Sequence, residues 1–208
     1  SPPMLAHLSW QLLSAIDYLH QHALIHRDIK SQNIFLQQRN STSYQLKLGD
    51  FGLCRSLVDT QRSGEEFHGK GIAGSRYWMA PELLRGEAYD QTIDCWSFGV
   101  VLYEMIHGKP LFGDFRGFKA MTMIAIKGAK QCVKERPKKS NYSPALYDLL
   151  SLALTFRRNK RPTSKELLKH QFFEARHQLN VKKFNELVLR AAKYQIKKCK
   201  KEEKKIIK

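Results

Sequence analysis

The sequence predicts a mainly α-helical fold with one small β-hairpin, and three stretches carry that prediction. Leu5, Leu8, Leu12, Ile16 and Leu19 recur at helical spacing, with Leu13 widening the stripe, so residues 4–22 read as an amphipathic helix. TIDCWSFGVVLYEMIH, residues 92–107, is apolar almost all round, the pattern of a helix buried in the middle of a domain. Between them, IFL and QLKLGD lie on either side of the polar run QQRNSTSY and read as two short strands about a turn.

The other elements follow along the chain. Residues 50–80 are rich in Gly, Ser and charge with little periodicity, so they read as a long loop, and loops of that length are usually functional or disordered. After Pro81 the pattern turns helical again, with further helices expected at 116–127, 144–156 and 163–170. The last two flank NKRPT, where Pro162 and Thr163 suit a helix start. No internal repeat is present. A chain of 208 residues with 42% hydrophobic content can bury one good-sized core.

Several classes are excluded by composition. No run of eighteen apolar residues exists, so no membrane span is expected. SPPMLAHLSW lacks the basic-then-apolar order of a signal peptide. Cys54, Cys95, Cys132 and Cys199 are scattered without CxxC pairing, which argues against zinc and against a disulfide scaffold. Reduced thiols in the cytoplasm are expected, with the nucleus as the alternative. The net charge of +17 is unevenly placed: residues 174–208 carry twelve Lys or Arg against four Glu, a net +8 in one sixth of the chain. This tail reads as a basic helix that either is simply solvated or meets an acidic protein, an anionic surface or nucleic acid.

The stretch with most chemistry is IHRDIKSQNIFL, residues 25–36. It sets His26, Arg27, Asp28, Lys30 and Asn33 just ahead of a candidate buried strand. Taken singly, Asp28 reads as a turn or cap residue, Asn33 as a turn amide and His26 as a satisfied core histidine. Together with DFG at 50–52 and APE at 80–82, in this order and with a hairpin and a buried helix between and after them, HRDIKSQN resembles the protein kinases. Asp94, Trp96-Ser97-Phe98-Gly99 and Arg161 extend the resemblance, which covers about residues 5–173. All of it corresponds to the large, C-terminal lobe, without the N-terminal β lobe. The division implied is a partial catalytic domain at 1–173 and a basic tail at 174–208.

The resemblance implies a set of roles. Transfer of a phosphoryl group needs in-line positioning and counter-charge more than covalent chemistry. Asp28 would accept or orient the substrate hydroxyl proton, and Lys30 would reach the transferred phosphate. Asn33 and Asp50 would hold Mg2+, and Phe35 would form part of the floor beneath the adenine of ATP. His26 would support the loop and pack near Phe51. Glu82 would pair with Arg161, and Asp94 would accept backbone N–H groups of the catalytic loop. Lys30 and GSRYWMAPE at 74–82 resemble Ser/Thr kinases, with Ser75 placed to hydrogen-bond Asp28 and Lys30. KSQN and DCWSFGVVLYE also resemble the tyrosine-kinase-like group. Gln32 is uncharged where some kinases place a Glu, so no peptide preference follows.

Arg27 beside Asp28 resembles kinases switched on by a phosphate in the activation segment, placed there by an upstream kinase. Thr60 or Ser63 is the expected acceptor, with Glu65 or Glu66 as the counter-charge otherwise. No glycine-rich loop, strand Lys, paired Glu or hinge precedes residue 5. Two readings therefore compete: a piece of an active protein Ser/Thr kinase, or a pseudokinase-like scaffold. In either case these residues alone are expected to bind ATP weakly and transfer phosphate poorly.

Overall fold

The structure, a computed structural model, describes residues 1–40, 43–57, 76–115, 118–129 and 142–206, with side chains of the last helix through Tyr194. Helix α1 runs Pro2–Gln21, with prolines in its first turn where their missing N–H groups cost nothing. Its stripe of Leu5, Leu12, Leu13, Ile16 and Leu19 is buried, as the periodicity requires. The chain leaves α1 at Ala23, φ 55°, and enters β1, Leu24–Ile25.

A single turn of 3₁₀-helix, Ser31–Asn33, leads into β2, Ile34–Asn40, which pairs antiparallel with β3, Ser43–Leu48. The ribbon is longer than the hairpin read from sequence. Most of QQRNSTSY is strand and only residues 41–42 fall outside the described backbone. Most of β2 is exposed, and backbone pairing along such a strand does not need the apolar alternation that sequence reading looks for.

A second pair was not foreseen. β4, Arg55–Ser56, joins β1 antiparallel, with Leu24 opposite Ser56 and Ile25 opposite Arg55. The expected loop at 50–80 thus contains a strand, and a 3₁₀ turn at Arg76–Trp78.

The helical half follows with α2 at Pro81–Leu84, α3 at Thr92–His107, α4 at Phe118–Lys127, α5 at Pro144–Ala153, α6 at Ser164–Leu167 and α7 at Val181–Ile206. Helix α3 is buried along Thr92–Tyr103 and ends at Gly108, whose φ of 72° closes the last turn. Trp96 and Phe98 are wholly enclosed and anchor the core that α1 and α5 complete.

Helix α5 ends earlier than read because Arg161 takes the carbonyls of Thr155 (2.9 Å) and Phe156 (3.4 Å). α6 starts on a capping box: Thr163 Oγ1 accepts the Glu166 N–H while the Glu166 carboxylate accepts the Thr163 N–H at 2.8 Å. The Thr163 N–H and hydroxyl hold the Glu166 carboxyl below its ordinary value. The helix expected over 163–170 stops at Leu167, because His170 caps a new 3₁₀ run, Gln171–Gln178, through the Phe172 N–H.

The basic tail is helical from Val181. Phe184 is buried and meets the edges of His7 and Tyr44, which docks the start of α7 on α1 and β3. Among the described residues no helix is long and apolar enough to cross a membrane. Cys54 and Cys95 are free thiols; Cys132 and Cys199 lie outside the residues whose side chains are described.

Candidate active site

The site is built from the segment between β1 and β2, because Asp94 bends it into place. Asp94 is fully buried at the start of α3, and its two oxygens accept the N–H groups of His26 (2.8 Å) and Arg27 (2.9 Å). A carboxylate that takes two backbone donors compensates its own burial and fixes both peptide planes. Arg27 is held in the left-handed region, φ 68°, a strained state for a residue with a β-carbon. The bend turns Asp28, Lys30 and Asn33 together.

Three of the five sequence-derived site residues meet directly. Lys30 Nζ lies 2.6 Å from Asp28 Oδ2. Asn33 Nδ2 donates to the same Oδ2 at 3.0 Å and to the Asp28 carbonyl at 2.8 Å. The Asn33 amide nitrogen is thereby committed, which leaves Oδ1 outside these bonds and fixes the flip of the amide.

Asp50 is joined to this cluster through the backbone. The N–H of Gly49, its predecessor, donates to the Asn33 carbonyl at 2.9 Å. Asp50 itself sits at φ 61° with an exposed side chain, and its Oδ1 accepts the Gly52 N–H at 3.4 Å. Phe35, the fifth residue, is 56% exposed on β2. Its ring lies over Gly49, where an added Cβ would come within 3.0 Å of Phe35 Cε2. With Phe51 also half exposed, the site is rimmed by two uncovered aromatic faces.

His26 supports the site without entering it. Its Nδ1 accepts the Asp28 N–H at 3.3 Å, so its Nε2–H donates to the Gly49 carbonyl at 3.1 Å. The ring packs on Phe51, centroids 5.1 Å apart. One imidazole therefore ties the Asp28 and Asp50 segments to each other. Arg27 donates to the Leu53 carbonyl at 2.7 Å and the Tyr89 hydroxyl at 3.0 Å. Nearby, burial and then Asp94 push the Cys54 thiol up against the opposing pull of Arg27, which keeps it protonated.

Three contributors were missed in the sequence. His20 Nε2 lies 3.1 Å from Asp94 Oδ2, Glu104 bridges Ser31 Oγ (3.1 Å) and Trp78 Nε1 (3.2 Å), and Tyr89 receives Arg27. His20 had a visible signal, since it falls one turn beyond Ile16 on the apolar stripe of α1, where a polar residue requires a partner. Ser75, Thr60, Ser63, Glu65 and Glu66 lie outside the described residues.

A helical domain whose buried carboxylate clamps an HRD loop beside a DFG turn defines a class. Residues 1–173 match the protein kinase domain, and the chain belongs to that family. Its relatives include the Serine/threonine-protein kinase pak-2 of Caenorhabditis elegans, 38% identical over 180 residues that make up 86% of this chain and 32% of that protein. The Serine/threonine-protein kinase pakA of Talaromyces marneffei is 36% identical over 82% of this chain and 24% of its own length. For the mouse Serine/threonine-protein kinase PAK 1 the figures are 36%, 79% and 28%. The chain spans about a quarter to a third of the length of these curated relatives.

Proposed function

We propose that this chain is the catalytic-lobe portion of a protein Ser/Thr kinase, which moves the γ-phosphate of ATP to Ser or Thr hydroxyls of a protein substrate. The observation that carries the proposal is the convergence of Lys30 Nζ and Asn33 Nδ2 on one oxygen of Asp28. A turn or cap aspartate needs no ammonium partner two residues on, whereas a hydroxyl-orienting carboxylate beside a phosphate needs both of its neighbours.

The proposed roles follow from the donor set. Asp28 Oδ1, outside the bonds to Lys30 and Asn33, accepts or orients the proton of the incoming hydroxyl. Lys30 supplies a point charge to the oxygens of the phosphoryl group in flight. Asn33 Oδ1 and the Asp50 carboxylate are hard oxygen ligands suited to Mg2+, and the committed Asn33 nitrogen ensures that the oxygen is the free end. Held there, Mg2+ would neutralise charge on the nucleotide phosphates. Phe35, exposed beside Gly49, offers the apolar face for the nucleotide base. The names of the relatives support the Ser/Thr assignment, and the tyrosine-kinase-like features of KSQN and DCWSFGVVLYE are compatible with it. Free Cys54 and Cys95 suit a cytoplasmic or nuclear enzyme.

The test is Asp28→Asn in the full-length protein. Loss of general-base function should lower kcat by about 10²–10⁴-fold with nucleotide affinity preserved. Undiminished turnover would remove Asp28 from the chemistry. A wild-type protein that binds partners but shows no turnover would favour the scaffold reading.

A further inference from the structure

A chain of four side chains runs beneath the catalytic loop: Asp17, Ser164, His20 and Asp94. All are buried, with exposures of 8, 1, 8 and 0%. Ser164 Oγ lies 2.8 Å from Asp17 Oδ1 and 3.0 Å from His20 Nδ1, and His20 Nε2 lies 3.1 Å from Asp94 Oδ2. Each of these contacts needs a hydrogen between its two heavy atoms, since lone pairs facing each other out of water repel.

The protons can be counted. The serine hydroxyl brings one, a neutral imidazole brings one, and ionised carboxylates bring none. That makes two protons for three contacts, so the arrangement holds one more. Asp94 is poorly placed to carry it. Its Oδ2 already accepts the His26 N–H and its Oδ1 the Arg27 N–H. Asp17 Oδ2 accepts the Gln21 amide at 2.5 Å, which leaves Oδ1, facing Ser164, as the one carboxylate oxygen that competes with the imidazole for that proton. Imidazole is also the most basic group of the set, by about two and a half pKa units over a carboxylate in ordinary peptides.

We propose that His20 carries a proton on both ring nitrogens, and that Asp94 therefore holds the catalytic loop as half of a buried ion pair. His20 is a positioning residue in this account. It balances the charge of the carboxylate that bends His26 and Arg27, and through Ser164 it ties that bend to the first residue of α6. The inference stands on the fold and does not depend on the phosphotransfer reading.

Ring-¹⁵N spectra of the full-length protein with labelled histidine test it, with His20 assigned by His20→Gln. At neutral pH both His20 nitrogens should show protonated shifts; one unprotonated, pyridine-type nitrogen would overturn the proposal. A second variant keeps the count honest. In Asp17→Asn the amide N–H supplies the third hydrogen to Ser164, the serine turns to His20, and His20 should become neutral. A doubly protonated His20 in that variant contradicts the counting. The positioning role is read by amide exchange: His20→Gln should speed exchange at His26 and Arg27 at least tenfold relative to Ile16, and equal rates would refute it.

Discussion

Glu82 and Arg161 face each other through two parallel hydrogen bonds, 2.6 and 3.0 Å, with 2% and 0% of their side chains exposed. The guanidinium also donates to the Thr92 carbonyl at 3.2 Å and lies over the Trp96 ring at 5.2 Å. The pair thus binds α2 to the root of α3 and to the turn before α6. Removing one partner strands the other charge in the core, so Glu82→Leu or Arg161→Met should each cost about 3–5 kcal/mol. The combined apolar variant Glu82→Leu with Arg161→Met should recover a large part of that loss. Urea unfolding of the three variants decides it; strictly additive costs would rule out a coupled pair.

Two glycines should resist substitution for different reasons. At Gly99 an added Cβ would stand 2.9 Å from Leu154 Cγ and Cδ2 and 3.0 Å from Ala153 Cβ. Overpacking there should cost about 1–3 kcal/mol. Gly108 has open space around it, but its φ of 72° would charge alanine about 1–2 kcal/mol in backbone strain. Asn tolerates that backbone region, so Gly108→Asn should be milder than Gly108→Ala, whereas Gly99→Asn should be worse than Gly99→Ala. Denaturation midpoints give the order, and the same ranking at both sites would contradict it.

Asp94→Asn keeps the size of the side chain and leaves one oxygen to serve two backbone donors. The other position now presents an NH2 to an N–H. Hydrogen bonds to a charged group contribute about 1.5–3 kcal/mol, and a loss of that order is expected in stability. If the proposed function holds, turnover should fall further than the stability loss explains, because the strained bend at Arg27 relaxes. An unchanged melting temperature would show that the two short bonds contribute little.

Acidification should loosen the tail. Burial and then Arg176 lower the pKa of His7 from its usual 6.5, which favours the neutral ring. The unfolded chain, with the ordinary value, binds more protons in the interval below 6.5, so stability must fall as the pH falls. The contribution is present above 6.5 and is lost as the pH drops through the lower folded value. His7 carries the edge contact with Phe184, so the loss should appear where α7 docks. Protease cleavage after α7 residues from pH 7.5 to 5 measures it, and His7→Gln should flatten the profile. Parallel profiles would dismiss His7 as the cause.

Much of the helical frame was legible because burial writes a periodic signature. The stripe of α1 and the all-round apolar run of α3 appear within a residue or two of where they were read. The order of HRD, DFG and APE also groups Asp28, Lys30 and Asn33 from the sequence alone, and the structure brings these three together. What escaped has a physical pattern. The β1–β4 pair is two residues long on each side and rests on backbone bonds, which leave no mark on side-chain composition. His20 and Ser164 are 144 residues apart, and nothing local to either announces the other. α6 ended early because His170 began a new cap, a competition between two plausible signals that only packing resolves.

Gln11 sits on α1 and receives the Leu46 N–H on its amide oxygen at 2.9 Å. That donor belongs to β3, which among the described residues pairs with β2 alone. A ribbon of two strands has an open flank, and an open flank invites a strand from another molecule. By occupying that donor from within its own helix, the chain withholds a rung that an incoming strand would use. Gln11→Leu should thus be felt less in the melting of the single molecule than in its tendency to stick to its own kind.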